Sequence, residues 1–244
     1  MIPGISPYRG RSGILHIARY ERRYFMNLFS YDSMLSRFLY LVGDIVTLHF
    51  LWLICSLPIV TMGASTTALY YSCMKRIRTN EGYPTRNFFK SFKENFRQST
   101  LIWIGMLIIG FIMICDLRIG MQVSGMMGKF MIVSCSVLII PFVLVSLYIF
   151  PVQAKFENRI RDNLKNALLM SLQNFHLSLL LVLIIGTFVC LTLFFRPFIG
   201  LMIVCGIGLL AYLTSGIFVF IFRKYIPGEL DDDAERSGIN REFQ

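Results

Sequence analysis

Charge is what this sequence has least of. Lys, Arg, Asp and Glu make up 16% of its 244 residues, while 55% are hydrophobic. Two stretches, 177–195 and 197–222, hold no ionisable group except Cys and Tyr. Recognisable chemistry is equally scarce. The chain has no Gly-x-x-x-x-Gly-Lys-Ser/Thr phosphate loop, no His-Glu-x-x-His and no Gly-x-Ser-x-Gly. Gly63 and Ser65 have nucleophile-elbow spacing, but Thr67 replaces the second Gly and no triad partners are indicated. No catalytic residue is visible, and the expectation is a non-enzymatic protein. The six cysteines (55, 73, 115, 135, 190, 205) form no Cys-x-x-Cys pair and have no neighbouring His, so neither a disulfide framework nor a metal site is expected, and no cofactor. They read as small packing residues. The first 36 residues lack an apolar run of signal-peptide length, so no cleaved secretory signal is expected and the first membrane helix should direct insertion.

What the chain does have is apolar length. A bilayer core of ~30 Å needs about 20 apolar residues as helix, and such windows stand at Phe38–Ile59, Ser99–Ile119, Phe130–Phe150, Leu177–Phe195 and Pro197–Phe222. The fold class is therefore all-α, a polytopic helical membrane protein. No separate globular domain fits beside these windows.

A net charge of +10 raises nucleic acid as a partner, but the positive charge is sorted by loop, as the positive-inside rule requires of a membrane protein. Six Lys or Arg precede Phe38, seven lie from Lys75 to Arg97, four from Lys155 to Lys165, and Arg223 and Lys224 follow the last window. These segments are assigned to the cytoplasm. Gly120–Lys129 and the turn at Arg196-Pro197 are assigned outside. Residues 38–74 have basic flanks on both sides and must cross an even number of times. The second crossing has only Thr61–Met74, at most about 21 Å of helix, and is expected to be tilted, thinned or re-entrant. That makes about six membrane segments with both termini cytoplasmic: a basic N-terminal segment over 1–36, a transmembrane domain over 37–225 with cytoplasmic amphipathic loops at 75–98 and 152–176, and an acidic tail over 226–244.

Two loops carry helical periodicity. Phe88, Phe92 and Phe96 stand four apart among Lys90, Lys93 and Arg97, which predicts an interfacial amphipathic helix over 84–98, lying at lipid headgroups or docking a cytoplasmic partner. Phe156, Ile160, Leu164, Leu168 and Leu172 predict another. A faint internal echo links Lys90-Ser-Phe-Lys-Glu-Asn-Phe96 to Met170-Ser-Leu-Gln-Asn-Phe175, which marks either repeated hairpins or shared membrane-entry chemistry. The tail, with Glu229, Asp231, Asp232, Asp233 and Glu235, reads as solvated and disordered, and the Pro- and Gly-bearing start as flexible.

Polar residues inside the windows are the candidate site. Asp44 is an intramembrane acid, expensive unless paired; it is either functional or bonded to a neighbouring helix. His49, about 140° further round the helix, reads as a neutral interhelix hydrogen-bonding residue. Gly63, Ser65, Thr66 and Thr67 lie in a run of small and hydroxyl residues at a helix start. There free backbone N–H groups attract anions or polar ligands, or a tight turn in which Ser65 caps the short helix lets small residues pack closely. Asp116 and Arg118 read as interfacial charges. Ala211 and Ser215 on the last window permit close contact with a helix of this or another protein. The candidate docking residues are Phe88, Phe92, Lys93, Phe96, Arg97, Phe156 and Ile160.

The ordered run Phe29-Ser30-Tyr31-Asp32-Ser33, Gly43-Asp44, Leu51-Trp52-Leu53, Leu57-Pro58-Ile59-Val60-Thr61-Met62-Gly63-Ala64-Ser65-Thr66-Thr67-Ala68-Leu69-Tyr70-Tyr71, Phe89–Phe96 and Trp103 resembles the YesL-like family of uncharacterised bacterial membrane proteins. The resemblance is strongest over 27–103. It implies a multi-pass protein of the bacterial plasma membrane, commonly encoded beside carbohydrate ABC-transporter components, solute-binding proteins and glycan-degrading enzymes. The function it implies is an accessory or regulatory component of carbohydrate uptake, with sugar-permease subunits or their ATPase as partners besides the lipid bilayer. The segment Phe156–Asn166 lacks the Glu-Ala-Ala and Gly pattern with which ordinary ABC sugar permeases engage their ATPase. The alternatives are a stand-alone small-solute transporter or channel, or a membrane partner of a sensor kinase. Substrate and oligomeric state are not indicated.

Overall fold

A computed structural model of the chain describes residues 34–79, 83–156 and 158–226. The expectations for the N-terminal segment before Met34 and for the acidic tail after Ile226 lie outside them. Backbone contacts divide the chain after Gly43. The ten described residues before that point open the first helix; the description below concerns the unit from Asp44 onward.

Every described element is helical. Helix α1 covers Met34–Cys55, a 3-10 turn Ile59–Thr61 leads into α2 at Met62–Thr79, and α3 runs from Pro84 to Gln122. Then come α4 (Met126–Lys155), α5 (Ile160–Gln173), α6 (Phe175–Phe194) and α7 (Arg196–Leu201). The last passes through a π-turn at Met202–Gly206 into α8 (Ile207–Arg223). Five helical stretches are long and apolar enough to cross a membrane: Leu35–Cys55, Pro84–Gln122, Met126–Lys155, Phe175–Phe194 and Arg196–Arg223. Most of their surface is unburied by protein, so the apolar side chains that cover it need lipid rather than water. The chain is an all-α polytopic membrane protein.

The contacts between helices show their direction. Asp44 meets Arg76, Trp52 meets Thr66, and the Thr61 hydroxyl donates to the Cys55 carbonyl, so α2 returns antiparallel along α1. Thr67 meets Ser99 and Lys75 meets Asn87, so α3 runs out again. In the same way Asn95 meets Gln153, and the Cys135 thiol meets the Met113 carbonyl, along α3 and α4. Helices α2, α4 and α8 therefore run parallel, and each ends in basic residues: Arg76 and Arg78, Lys155, and Arg223. A cation at a helix C-terminus suits the helix dipole and holds all three ends on the positively charged side.

These three returning helices form the centre. Tyr148, Ile149 and Val152 of α4 pack with Phe218, Ile221 and Phe222 of α8, and Tyr148 and Phe218 meet edge to face at 5.2 Å. Leu48, Ala68, Leu69, Cys73, Phe88 and Ala211 make a second core around α2. Helix α2 is too polar to count as a membrane span by composition, yet Gly63, Ala64, Ser65, Thr67, Ala68, Leu69, Ser72, Cys73 and Met74 are all buried. Enclosed by α1, α3, α4 and α8, it has no need of an apolar face for lipid. With 18 residues it is about 27 Å long, four residues longer than the sequence window allowed.

One sequence expectation changes. The segment 84–98 is not a separate interfacial helix: Pro84 starts a continuous helix of 39 residues, about 58 Å long. No proline follows Pro84 before Gln122, and Ser99 is satisfied by Thr67 rather than ending the helix. The α5 helix forms as expected over Ile160–Gln173. Asn163, Ala167, Met170 and Ser171 are buried, whereas Leu164 and Leu172 of the Leu stripe are exposed, as is Leu169. Small and polar residues, with Met170, make most of its contact with the other helices.

Candidate functional site

The polar residues of the membrane interior are held in two layers. At the basic end Asp44 and Arg76 form an ion pair at 2.7 Å, with both side chains mostly buried. It offsets the cost of an acid at this depth, as the interhelix alternative for Asp44 requires.

The hydroxyl run lies deeper. Ser65, Thr66 and Thr67 donate back to the carbonyls of Thr61, Met62 and Gly63, each four residues earlier. Ser65 therefore does not cap the helix. Thr66 also accepts from Trp52 Nε1 at 3.1 Å, and Thr67 meets Ser99 at 2.9 Å. A Cβ on Gly63 would stand 2.6 Å from the Ser99 carbonyl oxygen and 2.6 Å from Trp103 Cβ. Glycine is required there because the α2 and α3 backbones touch. Trp103 Nε1 donates to the Ile59 carbonyl and fastens the 3-10 turn from the other side. Of the two readings of this run, close packing is the one these contacts fulfil.

His49 sits apart from that group. Its Nε2 lies 2.9 Å from the Ile203 carbonyl, and Nδ1 accepts from the Gly208 N–H at 3.4 Å. With one nitrogen donating and the other accepting, the ring is the neutral tautomer with its proton on Nε2. Asp44, His49 and the hydroxyl run thus belong to three separate contacts.

The echo between 90–96 and 170–175 has a structural counterpart. Asn95 donates its side-chain amide to the Ser91 carbonyl, and Asn174, its aligned residue, donates to the Met170 carbonyl, in each case four residues back. Four residues onward, Ser99 meets Thr67 of α2 and Ser178 meets Tyr148 of α4 at 2.8 Å. In each copy the Asn bonds back along its own segment and the Ser ties an outgoing helix to an earlier returning one. The two copies differ locally: α3 continues through Asn95, whereas Asn174 separates α5 from α6.

The candidate docking residues divide. Phe88 is fully buried against α2, Phe92 is half-buried and stacks on it, and Phe156 packs on Phe222. Ile160 also leans on the core. Phe96, Lys93 and Arg97 are exposed, with Phe89 and Lys90 beside them. Ala211 and Ser215 face the interior, so their close neighbour belongs to this chain. Asp116 and Arg118 fall in the last turns of α3. All six cysteines are free thiols, and the described residues hold no group of three His, Cys, Asp or Glu to bind a metal.

Sequence reasoning missed the partners rather than the participants. Arg76 had been counted only as loop charge, and Ser99 only as a membrane-entry residue. Tyr148 and the π-turn carried no signal, since their contacts join residues 30 or more positions apart.

Comparison with known proteins bears on the same region. Residues 45–117, from α1 to the outer part of α3, match a family described as a protein of unknown function, DUF624. The chain is 27% identical over 169 residues to "Uncharacterized protein YesL" of Bacillus subtilis (strain 168), covering 68% of this chain and 79% of that protein. No solved structure matches it. The family match, over 45–117, contains His49, the hydroxyl run and the exposed end of α3, and both comparisons find this chain similar to uncharacterised proteins.

Proposed function

We propose that the protein is a non-enzymatic accessory or regulatory subunit of a carbohydrate uptake system in a bacterial plasma membrane. One observation carries the accessory part of this reading. The polar membrane groups Asp44, His49, Thr66 and Thr67 are engaged with Arg76, Ile203 and Gly208, Trp52 and Ser99, while the exposed aromatic and cationic side chains stand at the basic end of α3. An interior tied to itself beside an exposed basic edge suits contact with a partner better than passage of a solute. Phe89, Lys90, Lys93, Phe96 and Arg97 are the contact surface, and a sugar permease or its ATPase is the partner. The link to carbohydrate rests on what the family resemblance implies.

The test is purification of the tagged protein from native membranes in mild detergent, with crosslinking and mass spectrometry. Permease or ATPase subunits crosslinked through residues 83–98 are the expected result. Self-crosslinks alone, with those subunits present but not enriched, overturn the proposal. The stand-alone transporter remains a second reading because Asp44 and Arg76 place opposite charges at membrane depth. It requires uptake by the purified protein in liposomes that Asp44→Asn abolishes. Recovery of a sensor kinase instead favours the signalling alternative.

A further inference from the structure

The last membrane helix is interrupted at Met202–Gly206, where the backbone makes a π-turn. No proline stands in this stretch to cause it. A π-turn is accommodated as one extra residue within an α-helix, and it leaves backbone groups without their usual partners. Here His49 supplies them from α1. Its Nε2 donates to the Ile203 carbonyl inside the π-turn, and its Nδ1 accepts the Gly208 N–H just past it. The two helices are in backbone contact at this level: a Cβ on Gly208 would stand 2.6 Å from the Ile45 carbonyl oxygen and 3.0 Å from His49 Cβ.

The packing of the helix changes at the same place. On the inner side Gly208, Ala211, Thr214, Ser215, Phe218, Ile221 and Phe222 are buried. On the outer side no residue from Arg196 to Cys205 is buried, and the segment's ring contact is Phe198 against Phe188 of α6, at 5.8 Å. Lateral packing does little to hold the outer quarter of the helix in its present rotation; the imidazole bonds at its base do.

We propose that His49 is a latch: it holds the extra residue in the π-turn and thereby fixes the rotation of Arg196–Leu201, which is a movable element hinged at Met202–Gly206. When the latch is open, the backbone recovers α-helical bonding and the outer segment turns by about 100°, one residue of helical rotation. Phe198 then leaves Phe188. His49 is a positioning residue, acting through the backbone of α8.

The proximity of positions 188 and 198 reads the latch directly. Phe188→Cys and Phe198→Cys are introduced together in the full-length protein with the six native cysteines replaced, and treated with a short thiol-specific crosslinker in nanodiscs. With His49 present the pair crosslinks; with His49→Leu the crosslink is lost, and His49→Gln, which keeps an N–H donor for Ile203, restores part of it. Deleting Val204 removes the extra residue, so the deletion variant keeps the crosslink whether position 49 is His or Leu. Wild-type crosslinking in His49→Leu overturns the proposal. If His49→Leu fails to fold, folding of the variant that also lacks Val204 supports the latch, and failure of that variant overturns it. Failure of the Val204 deletion alone also overturns it.

Discussion

At the scale of single residues, this bundle depends on positions where a side chain must be absent or matched. Gly63 lets α2 lie directly on α3, with no room for a methyl group against the Ser99 carbonyl and Trp103. Gly63→Ala is therefore expected to lower stability by about 2 kcal/mol, the usual cost of overpacking, seen as a reduced melting temperature of the purified protein in detergent. An unchanged melting temperature means the helices separate without cost. Asp44 and Arg76 are matched in charge. Asp44→Asn removes this charge pairing from the mostly buried Arg76 guanidinium and is expected to lower stability by up to about 3 kcal/mol. Reversing the pair, Asp44→Arg with Arg76→Asp, is expected to recover part of that loss in the same melting experiment. Equal losses in the single and reversed variants would deny the pairing any energetic role.

At the scale of elements, helix faces here follow rules of lipid rather than of water. Helix α5 buries Asn163 and Ala167 and exposes Leu164, Leu169 and Leu172. Asn163 donates to Gln153, which donates in turn to Asn95, so the amide chain joins α5, α4 and α3. Asn163→Leu removes the donor to a buried amide oxygen and is expected to cost about 1–3 kcal/mol. Leu164→Asn, on the exposed side, is expected to change stability by no more than about 0.5 kcal/mol. Comparing their detergent unfolding midpoints decides between the two faces, and the opposite order makes the Leu stripe the packing face. The repeated Ser ties belong to the same scale. Hydrogen bonds of this kind average about 0.6 kcal/mol between membrane helices, so they set the register of the hairpins more than they stabilise the whole.

At the scale of the whole molecule, topology follows from charge. Cysteines placed at Lys90 and Lys165 are expected to react with an impermeant thiol reagent from the cytoplasmic side, and at Gly125 and Arg196 from the outside. Labelling of intact cells against inverted vesicles measures this, and reaction of positions 90 and 196 from one side would break the assignment. Much of this level was legible in the sequence. Runs of about 20 apolar residues have few other uses, and two basic loops mark where the chain turns. The short helix returning along α1 was also expected from the basic flanks, though not its enclosure by α1, α3, α4 and α8.

What the sequence by itself determined is where the helices lie and which ends face the positive side, because hydrophobic length and charge distribution are local properties. Which face of each helix meets another, and which polar groups find one another, were decided only by the tertiary structure. Hydrophobic periodicity points inward when the outside is water; when the outside is lipid, both faces are apolar and the pattern loses its direction. The contacts then depend on small and polar residues far apart in the chain: His49 with Ile203, Asp44 with Arg76, Ser178 with Tyr148. In each pair at least one partner is ordinary in its own surroundings, and only the packed helices bring the two within reach.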